Sequence, residues 1–228
     1  MTIGEMNAIV AAVQPYTMTD DIRIKGLIRE TERVCCAGVC GDIVECGVWR
    51  GGSMMAVAMA LMLLDEGMWY EDGGMTDREL YLFDTFAGMT APEPIDVDLH
   101  GRPALRPETG AYDPAGCTAS LAMVQTAMAS VGYPPELLRY VKGDVLDTLP
   151  AQAPECIALL HLDTDWHKST RHELETLFPR VSPGGCIMID DYGHWQGARK
   201  ATDEYLAQYA PELKPEPCGY TAVILRKP

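Results

Sequence analysis

The protein has 228 residues, which suits one domain, and 47% of them are hydrophobic, enough to fill one core. Asp and Glu outnumber Lys and Arg by 33 to 18, giving a formal net charge of −15 at pH 7. Because this charge repels phosphate backbones and anionic membrane surfaces, we expect neither a nucleic acid nor a membrane as partner. We predict a single domain over residues 1–228.

The first forty residues predict a helical segment without a targeting signal. They lack the basic and apolar regions of a signal peptide, and no stretch of the chain approaches the roughly 18 apolar residues of a bilayer-spanning helix. We therefore expect a cytoplasmic protein. The run IRIKGLIRETERVCCAGVC predicts an amphipathic helix with Cys35, Cys36 and Cys40 on its core face, rather than a soft metal site. Since none of the eight cysteines has C-x2-C spacing, we expect mostly buried free thiols.

Beyond this segment, short apolar runs alternate with helix-like stretches, a pattern typical of parallel strands joined by crossover helices. Several of the runs are apolar without alternation, as burial of both sheet faces requires. The predicted strands occupy 42–48, 79–85, 137–144, 156–163, 185–191 and 220–227. The predicted helices between and after them occupy 53–67, 118–132, 169–185 and 198–212.

The first strand leads into a glycine-rich turn. DIVECGVWRGGS places Glu45 within the strand, Gly47 in the turn and Ser53 at the start of a helix. Glycines there let the backbone approach a ligand closely. The dinucleotide pattern G-x-G-x-x-G is absent because Trp49 interrupts it, which disfavours a nicotinamide enzyme. Taken alone, the turn fits a packing role as well.

The segment 87–116 follows the second strand and is too long for an ordinary connection between a strand and a helix. It is rich in Pro, Gly and Asp. Open α/β sheets bind ligands at the carboxyl ends of their strands, so we predict that this segment is a lid. The alternative is a flexible surface insertion.

Acidic residues end the second and third strands, at Asp84 and Asp144. An acid after the second strand is the usual partner of a ribose hydroxyl, and one after the third can accept from an adenine amino group. Together they predict an adenosine pocket. Each acid singly also fits a helix cap or turn, and we favour such a cap or turn role for Asp147.

The fourth strand ends at Asp163 and the fifth at Asp190 and Asp191. The spacing accommodates one crossover helix, so we expect the strands to be parallel neighbours whose carboxylates converge. Mutual repulsion then raises a pKa or requires a cation, and Mg²⁺ prefers such oxygen ligands. The alternative is that Asp190 and Asp191 cap the next helix, although one cap needs a single acid.

Together these residues resemble the macrocin O-methyltransferase family. The similarity rests on GDIVECGVWRGGS, YLFDTFAGM, HLDTDWHKST, SPGGCIMIDDYGHWQGARKATDEY and YTMTDDIR, which occur in the family's order from about residue 16. The resemblance implies an S-adenosylmethionine-dependent, metal-assisted sugar O-methyltransferase of antibiotic biosynthesis. It also implies a class I methyltransferase fold, an α/β Rossmann-like architecture with seven mostly parallel strands, helices on both faces and an antiparallel last strand. A homo-oligomer, dimer or higher, is expected by the same likeness.

The resemblance also implies roles for individual residues. The expected cofactor contacts are Glu45, Gly47 and Ser53 at the methionine end, Asp84 and Thr85 at the ribose, and Asp144 with Ser120 at the adenine. The expected magnesium ligands are Asp163, Asp190 and Asp191, and Asp163 also matches the family's proposed general base. The chain departs from the family at Trp166 and His167, where an aliphatic residue and Tyr are common, which leaves the acceptor open.

We expect in-line transfer of the sulfonium methyl group to a hydroxyl of a small acceptor, with the cation lowering the pKa of that hydroxyl. His167 and His194 are further candidates for the base. His161 lies within a strand and more often serves as a packed supporting group. The alternatives are a methyltransferase for catechols or other vicinal diols, and a noncatalytic cofactor-binding protein.

Overall fold

The computed structural model describes residues 1–67, 77–104 and 117–228, and within these ranges seven strands form one sheet. The strands are β1 (Asp42–Cys46), β2 (Leu80–Asp84), β3 (Leu138–Lys142), β4 (Ile157–Leu162), β5 (Val181–Ile189), β6 (Glu216–Cys218) and β7 (Ala222–Arg226). Their order is β3-β2-β1-β4-β5-β7-β6, with β1 to β5 parallel and β7 antiparallel to both β5 and β6. The predicted sheet with its antiparallel last strand is confirmed.

Helices cover both faces of the sheet because the strands are apolar on both faces. The helices are α1 (Ile3–Val13), α2 (Asp21–Cys36), α3 (Gly52–Gly67), α4 (Leu121–Val131), α5 (Val145–Thr148), α6 (His167–Leu177) and α7 (Gln196–Tyr209). Ile43 and Leu82 point into a core shared with α1 to α4, whereas Val44 and Phe83 point into one shared with α6 and α7. None of the described helices is long and apolar enough to cross a membrane.

Two strands differ from the prediction by more than a shift of one or two residues at an end. β5 begins at Val181, so SPGG belongs to the strand and not to the end of a helix. The pairing of β4 with β5 shifts register before Leu159, and such an irregularity tolerates Pro and Gly. β6 was not predicted, because it has three residues and includes Pro217, which an edge strand accommodates.

None of the eight cysteines forms a disulfide, as predicted, but only half of them are buried. α2 ends at Cys36, so Cys36 and Cys40 are exposed while Cys35 packs into the core. The prediction of three cysteines on one core face was therefore wrong, because the helix ends four residues before the predicted end.

The order of the strands reverses between β1 and β4, which creates a crevice at their carboxyl ends. The described part of the predicted lid, residues 87–104, packs beside this crevice. Trp166 Nε1 donates to Thr90 O at 3.0 Å, the backbone N of His167 donates to Asp96 Oδ1 at 2.8 Å, and both contacts fix the segment near the start of α6. The remainder of the predicted lid, 105–116, lies outside the described residues.

Candidate active site

A cavity of about 260 Å³ lies at the carboxyl ends of the strands. Its walls come from the turn after β1, the end of β2, the N-terminal residues 16–19 and the loops after β4 and β5. Gly47, Ser53, Asp84, Asp163 and the paired acids after β5 all line it. The sheet thus brings together residues that are separated widely in the sequence.

Gly47 allows the ends of β1 and β4 to meet. Its φ is +87°, and a Cβ built there would lie 2.0 Å from the backbone oxygen of Asp163. Any side chain would therefore push apart the two loops that border the cavity. Ser53, in the first turn of α3, is buried against the same cavity.

Asp84 holds the glycine-rich turn in place. Its Oδ2 accepts hydrogen bonds from the backbone N of Val48 at 2.7 Å and of Trp49 at 3.0 Å, and its Oδ1 accepts from the N of Phe86 at 2.7 Å. Trp49 and Phe86 both have positive φ, a conformation that such anchoring stabilises. The predicted ribose acid is thus also the residue that organises the turn.

A smaller cavity of about 50 Å³ adjoins the first and shares Gly47, Asp84 and Asp163 with it. Thr85 and Asp144 line this cavity. Asp144 is also the N-cap of α5, accepting from Leu146 N at 2.9 Å. Asp147 lies within this one-turn helix and is not its cap.

Ser120, predicted at the adenine side, lies elsewhere. It is exposed and caps α4, accepting from Met123 N at 3.3 Å. It is absent from the described linings of both cavities. Its position gives it a structural role in α4.

Glu45 and His161 form a buried pair beneath the cavity floor. Glu45 Oε1 lies 2.9 Å from His161 Nδ1, and His161 Nε2 faces Asp190 Oδ1 at 3.8 Å, beyond hydrogen-bond distance. Burial raises the pKa of Glu45. Burial opposes protonation of His161, but the carboxylates of Asp190 and Glu45 raise its pKa well above the usual value. His161 is a packed supporting group, as predicted, and Glu45 supports the cavity from below.

Three carboxylates converge at the floor of the cavity. Oxygens of Asp163, Asp165 and Asp191 all lie within 4.8 Å of one another. Burial and then the neighbouring negative charges raise the pKa of Asp163 and Asp191 well above the usual range, and burial raises that of Asp165 to about 7. These three residues and Asp190 are called the acid cluster below.

The three converging carboxylates differ from the predicted metal set in one member, because Asp165 takes the place of Asp190. Asp163 and Asp191 meet as predicted, whereas Asp190 forms an ion pair with Arg23. Asp165 was missed, although its D-x-D spacing after β4 was a signal. Its φ of +68° turns the chain at this point.

The two histidines predicted as alternative bases occupy different places. His194 lines the cavity between the rings of Trp195 and Tyr220, and burial lowers its pKa. His167 Nε2 lies 3.7 Å from Glu204 Oε2. Because His167 is absent from the described cavity linings, we do not assign it a role in catalysis.

Comparison with known proteins decides the family. The model of the family Macrocin-O-methyltransferase (TylF) matches residues 9–226. The chain belongs to the macrocin O-methyltransferase family. Its class I methyltransferase fold follows from the sheet and from the solved structures that it resembles. The O-methyltransferase NovP matches 93% of this chain and 82% of its own, with a TM-score of 0.78 and 27% identity.

Two curated relatives of this O-methyltransferase are more than 30% identical to it. The 8-demethyl-8-(2,3-dimethoxy-alpha-L-rhamnosyl)-tetracenomycin-C 4'-O-methyltransferase of Streptomyces olivaceus is 34% identical over 195 residues, which cover 85% of this chain and 69% of the relative. The mycinamicin III 3''-O-methyltransferase of Micromonospora griseorubida is 31% identical over 190 residues, which cover 83% and 70%.

Proposed function

We propose that the enzyme transfers a methyl group from S-adenosylmethionine to a sugar hydroxyl of a small natural product, with a divalent cation at the acid cluster. The observation that carries this proposal is the pair of adjoining cavities at the strand ends, directly beside the acid cluster. The names of the two relatives support the acceptor class, because one is named for a rhamnosyl-tetracenomycin and the other for mycinamicin III.

We infer one orientation for the cofactor across the two cavities. The methionine end would lie against Gly47 and Ser53 in the larger cavity, where the turn lets a ligand approach the backbone. Asp84 faces both cavities and is placed to accept from ribose hydroxyls, while Thr85 and Asp144 border the space for the adenine. Glu45 acts indirectly by supporting the floor.

The acid cluster has the donor set that a hard divalent cation requires. Asp191 Oδ2 and Asp190 Oδ1 are both buried without a hydrogen-bond partner in the described structure, and carboxylate oxygens are the preferred ligands of Mg²⁺. Asp163, Asp165 and Asp191 would hold the ion, with Asp190 as a further candidate ligand. A cation bound there would lower the pKa of the acceptor hydroxyl.

His194 is our candidate for the general base, and Asp163 is the alternative. Because its pKa is lowered by burial, His194 is neutral at neutral pH and can accept the hydroxyl proton. The hydroxyl oxygen attacks the methyl carbon as the bond from that carbon to sulfur breaks. The residues of the cavity wall position the two reactants and exclude water.

The test measures transfer from S-adenosylmethionine carrying a deuterated methyl group to methyl α-L-rhamnoside, with catechol as the comparison acceptor. We expect labelled methyl ether on the glycoside, dependent on Mg²⁺ and removed by EDTA, and at least about tenfold less in His194→Ala. Transfer to catechol alone would contradict the sugar assignment. Cofactor binding without transfer to any acceptor would favour a noncatalytic protein.

A further inference from the structure

Arg23 links helix α2 to the acid cluster. It lies in the first turn of α2, and its Nη1 forms an ion pair with Asp190 Oδ2 and donates to Thr221 Oγ1 at 3.0 Å. Its Nε donates to Asp20 Oδ2 at 3.0 Å. The side chain of Arg23 is 12% exposed and that of Asp190 only 4%, so this ion pair is largely shielded from solvent.

The charge around the cavity is strongly unbalanced without Arg23. Among the described residues that line the cavity, it is the only Lys or Arg, whereas five lining residues are carboxylates, namely the four of the acid cluster and Asp84. A buried carboxylate without a counter-charge is destabilising, so Arg23 stabilises the cluster when no cation is bound. The fixed positive charge of Arg23 also repels a metal cation that approaches the same carboxylates.

We propose that Arg23 is the resident counter-ion of the acid cluster and that it weakens the cluster's affinity for a divalent cation. Arg23 is thus a positioning residue that holds Asp190 Oδ2, while Asp190 Oδ1 is buried without a hydrogen-bond partner in the described structure. A metal cation then binds reversibly, because it competes with the positive charge of Arg23 for the same carboxylates. This inference rests on the cation site of the proposed function.

Arg23 also anchors one wall of the cavity through its contact with Asp20, which directly follows residues 16–19. Residues 16–19 precede α2 and line the cavity, and they pack so closely on α3 that a Cβ at Gly52 would lie 2.6 Å from Tyr16 O. Loss of Arg23 removes both the charge and this anchor. Arg23→Lys separates the two effects, because it keeps the charge while losing the paired geometry of the guanidinium.

The experiment measures Mn²⁺ binding by electron paramagnetic resonance, with S-adenosylmethionine present. The variants are Arg23→Met, Arg23→Gln and Arg23→Lys, and the control is Arg29→Met on the exposed side of the same helix. We expect Arg23→Met and Arg23→Gln to bind Mn²⁺ at least about tenfold more tightly than wild type. The Mn²⁺ affinities of Arg23→Lys and Arg29→Met should remain within about twofold of the wild-type value. We also expect a lower Tm in EDTA for the neutral variants and a larger increase in Tm with Mn²⁺.

The outcomes separate this inference from the proposed function. Equal or weaker Mn²⁺ binding by Arg23→Met and Arg23→Gln would overturn the counter-ion role and leave the cation site intact. A loss of Tm that Mn²⁺ does not reverse would indicate a merely structural role and would also overturn it. If neither wild type nor any variant binds Mn²⁺, both the cation site and this inference fail, whereas methyl transfer is measured independently.

Discussion

At the scale of single residues, Asp84 organises the turn after β1 and is also the residue that we propose for the ribose. An acid at the end of the second strand was predicted to contact a ribose. In the structure, three backbone N–H groups already bind its carboxylate, so the side chain also determines the shape of the turn. A carboxylate has enough lone pairs for further hydrogen bonds, and the two tasks are compatible.

Asp84→Asn should therefore weaken S-adenosylmethionine binding by about tenfold or more, because an amide group offers one accepting oxygen where the turn uses two. Asp42→Asn is the matched control. Asp42 lies at the opposite end of β1, where its Oδ1 accepts from Glu79 N at 2.9 Å. Calorimetric titration measures both affinities, and similar losses in the two variants would contradict the role of Asp84.

Glu173 is a buried acid that we expect to contribute to the pH dependence of stability. It accepts from Thr164 Oγ1 at 3.0 and 3.1 Å, and burial raises its pKa to about 8. Because the folded pKa exceeds the unfolded value of about 4.5, the protonated acid stabilises the fold below about pH 4.5. This stability is lost as the pH rises through about 8.

Glu173→Gln should remove this pH-dependent loss, since the amide keeps the shape without ionising. We expect the variant to be more stable than wild type by about 2 kcal/mol or more at pH 8.5, and to differ much less at pH 5. Urea unfolding at the two pH values measures this. Glu175→Gln, on the partly exposed side of α6 beside Arg171, is the control, and an equal pH response in both variants would refute the prediction.

At the scale of elements, the close approach of the loops that follow β1 and β4 depends on the turn at Gly47. The glycine-rich turn was predicted from sequence, with a packing role and a ligand-binding role both open. The structure shows that packing requires the glycine, because the Asp163 backbone occupies the space of a side chain. The same contact brings Asp163 to the cavity, so here packing and binding depend on one residue.

Gly47→Ala should destabilise the protein by several kcal/mol more than Gly38→Ala. Both glycines have positive φ, at +87° and +63°, so both variants lose about 1–2 kcal/mol from backbone strain. Only Gly47 has backbone atoms in the position of the new Cβ, whereas Gly38 has open space. Chemical denaturation compares them, and equal losses would show that the contact with Asp163 is unimportant.

Elements with strong apolar runs were predictable. The cores of β1 to β5 and β7 all lie within predicted strands, because burial on both faces requires continuous apolar residues. The exceptions have weak signals. β6 is a short edge strand with Pro217, and the start of β5 contains Pro183 and two glycines.

The candidate site was predictable where acids directly follow strands, as at Asp84 and Asp163. Contacts that depend on the conformation of a loop, or that join segments far apart in the sequence, were not predictable. The positive φ of Asp165 is not visible in the sequence, and Arg23 lies 167 residues from its partner Asp190. Likewise, no local pattern distinguishes Ser120, which only caps a helix, from a cofactor contact.

At the scale of the whole molecule, we expect the acid cluster to couple the stability of the fold to pH and to cation binding. The pKa values of Asp163, Asp165 and Asp191 are all raised, so their protonated forms stabilise the folded state below about pH 4. Without a cation, stability is then lost as the pH rises through their folded pKa values, which include about 7 for Asp165.

We expect Tm in EDTA to fall between pH 5 and pH 8, and Mg²⁺ to reduce this fall, because the cation replaces the protons of the cluster. Thermal unfolding across this range, with and without Mg²⁺, measures the effect. Asp165→Asn should show a smaller fall than wild type in EDTA. A fall that Mg²⁺ leaves unchanged would contradict cation binding at the cluster.

The cavity at the strand ends agrees with a small-molecule acceptor, and the net charge of −15 disfavours polyanionic partners. A cytoplasmic location and a homo-oligomeric state stay predictions. Analytical ultracentrifugation would measure the latter.

We propose that the strand ends hold a cofactor cavity and, at the floor of the same cavity, a cation site. The most direct test is calorimetric titration of S-adenosylmethionine, followed by Mg²⁺, into wild type and into Asp163→Asn with Asp191→Asn. We predict that the double variant retains cofactor binding and loses Mg²⁺ binding. Wild type that binds the cofactor but no divalent ion would contradict the cation site, and wild type that binds no S-adenosylmethionine would contradict the account as a whole.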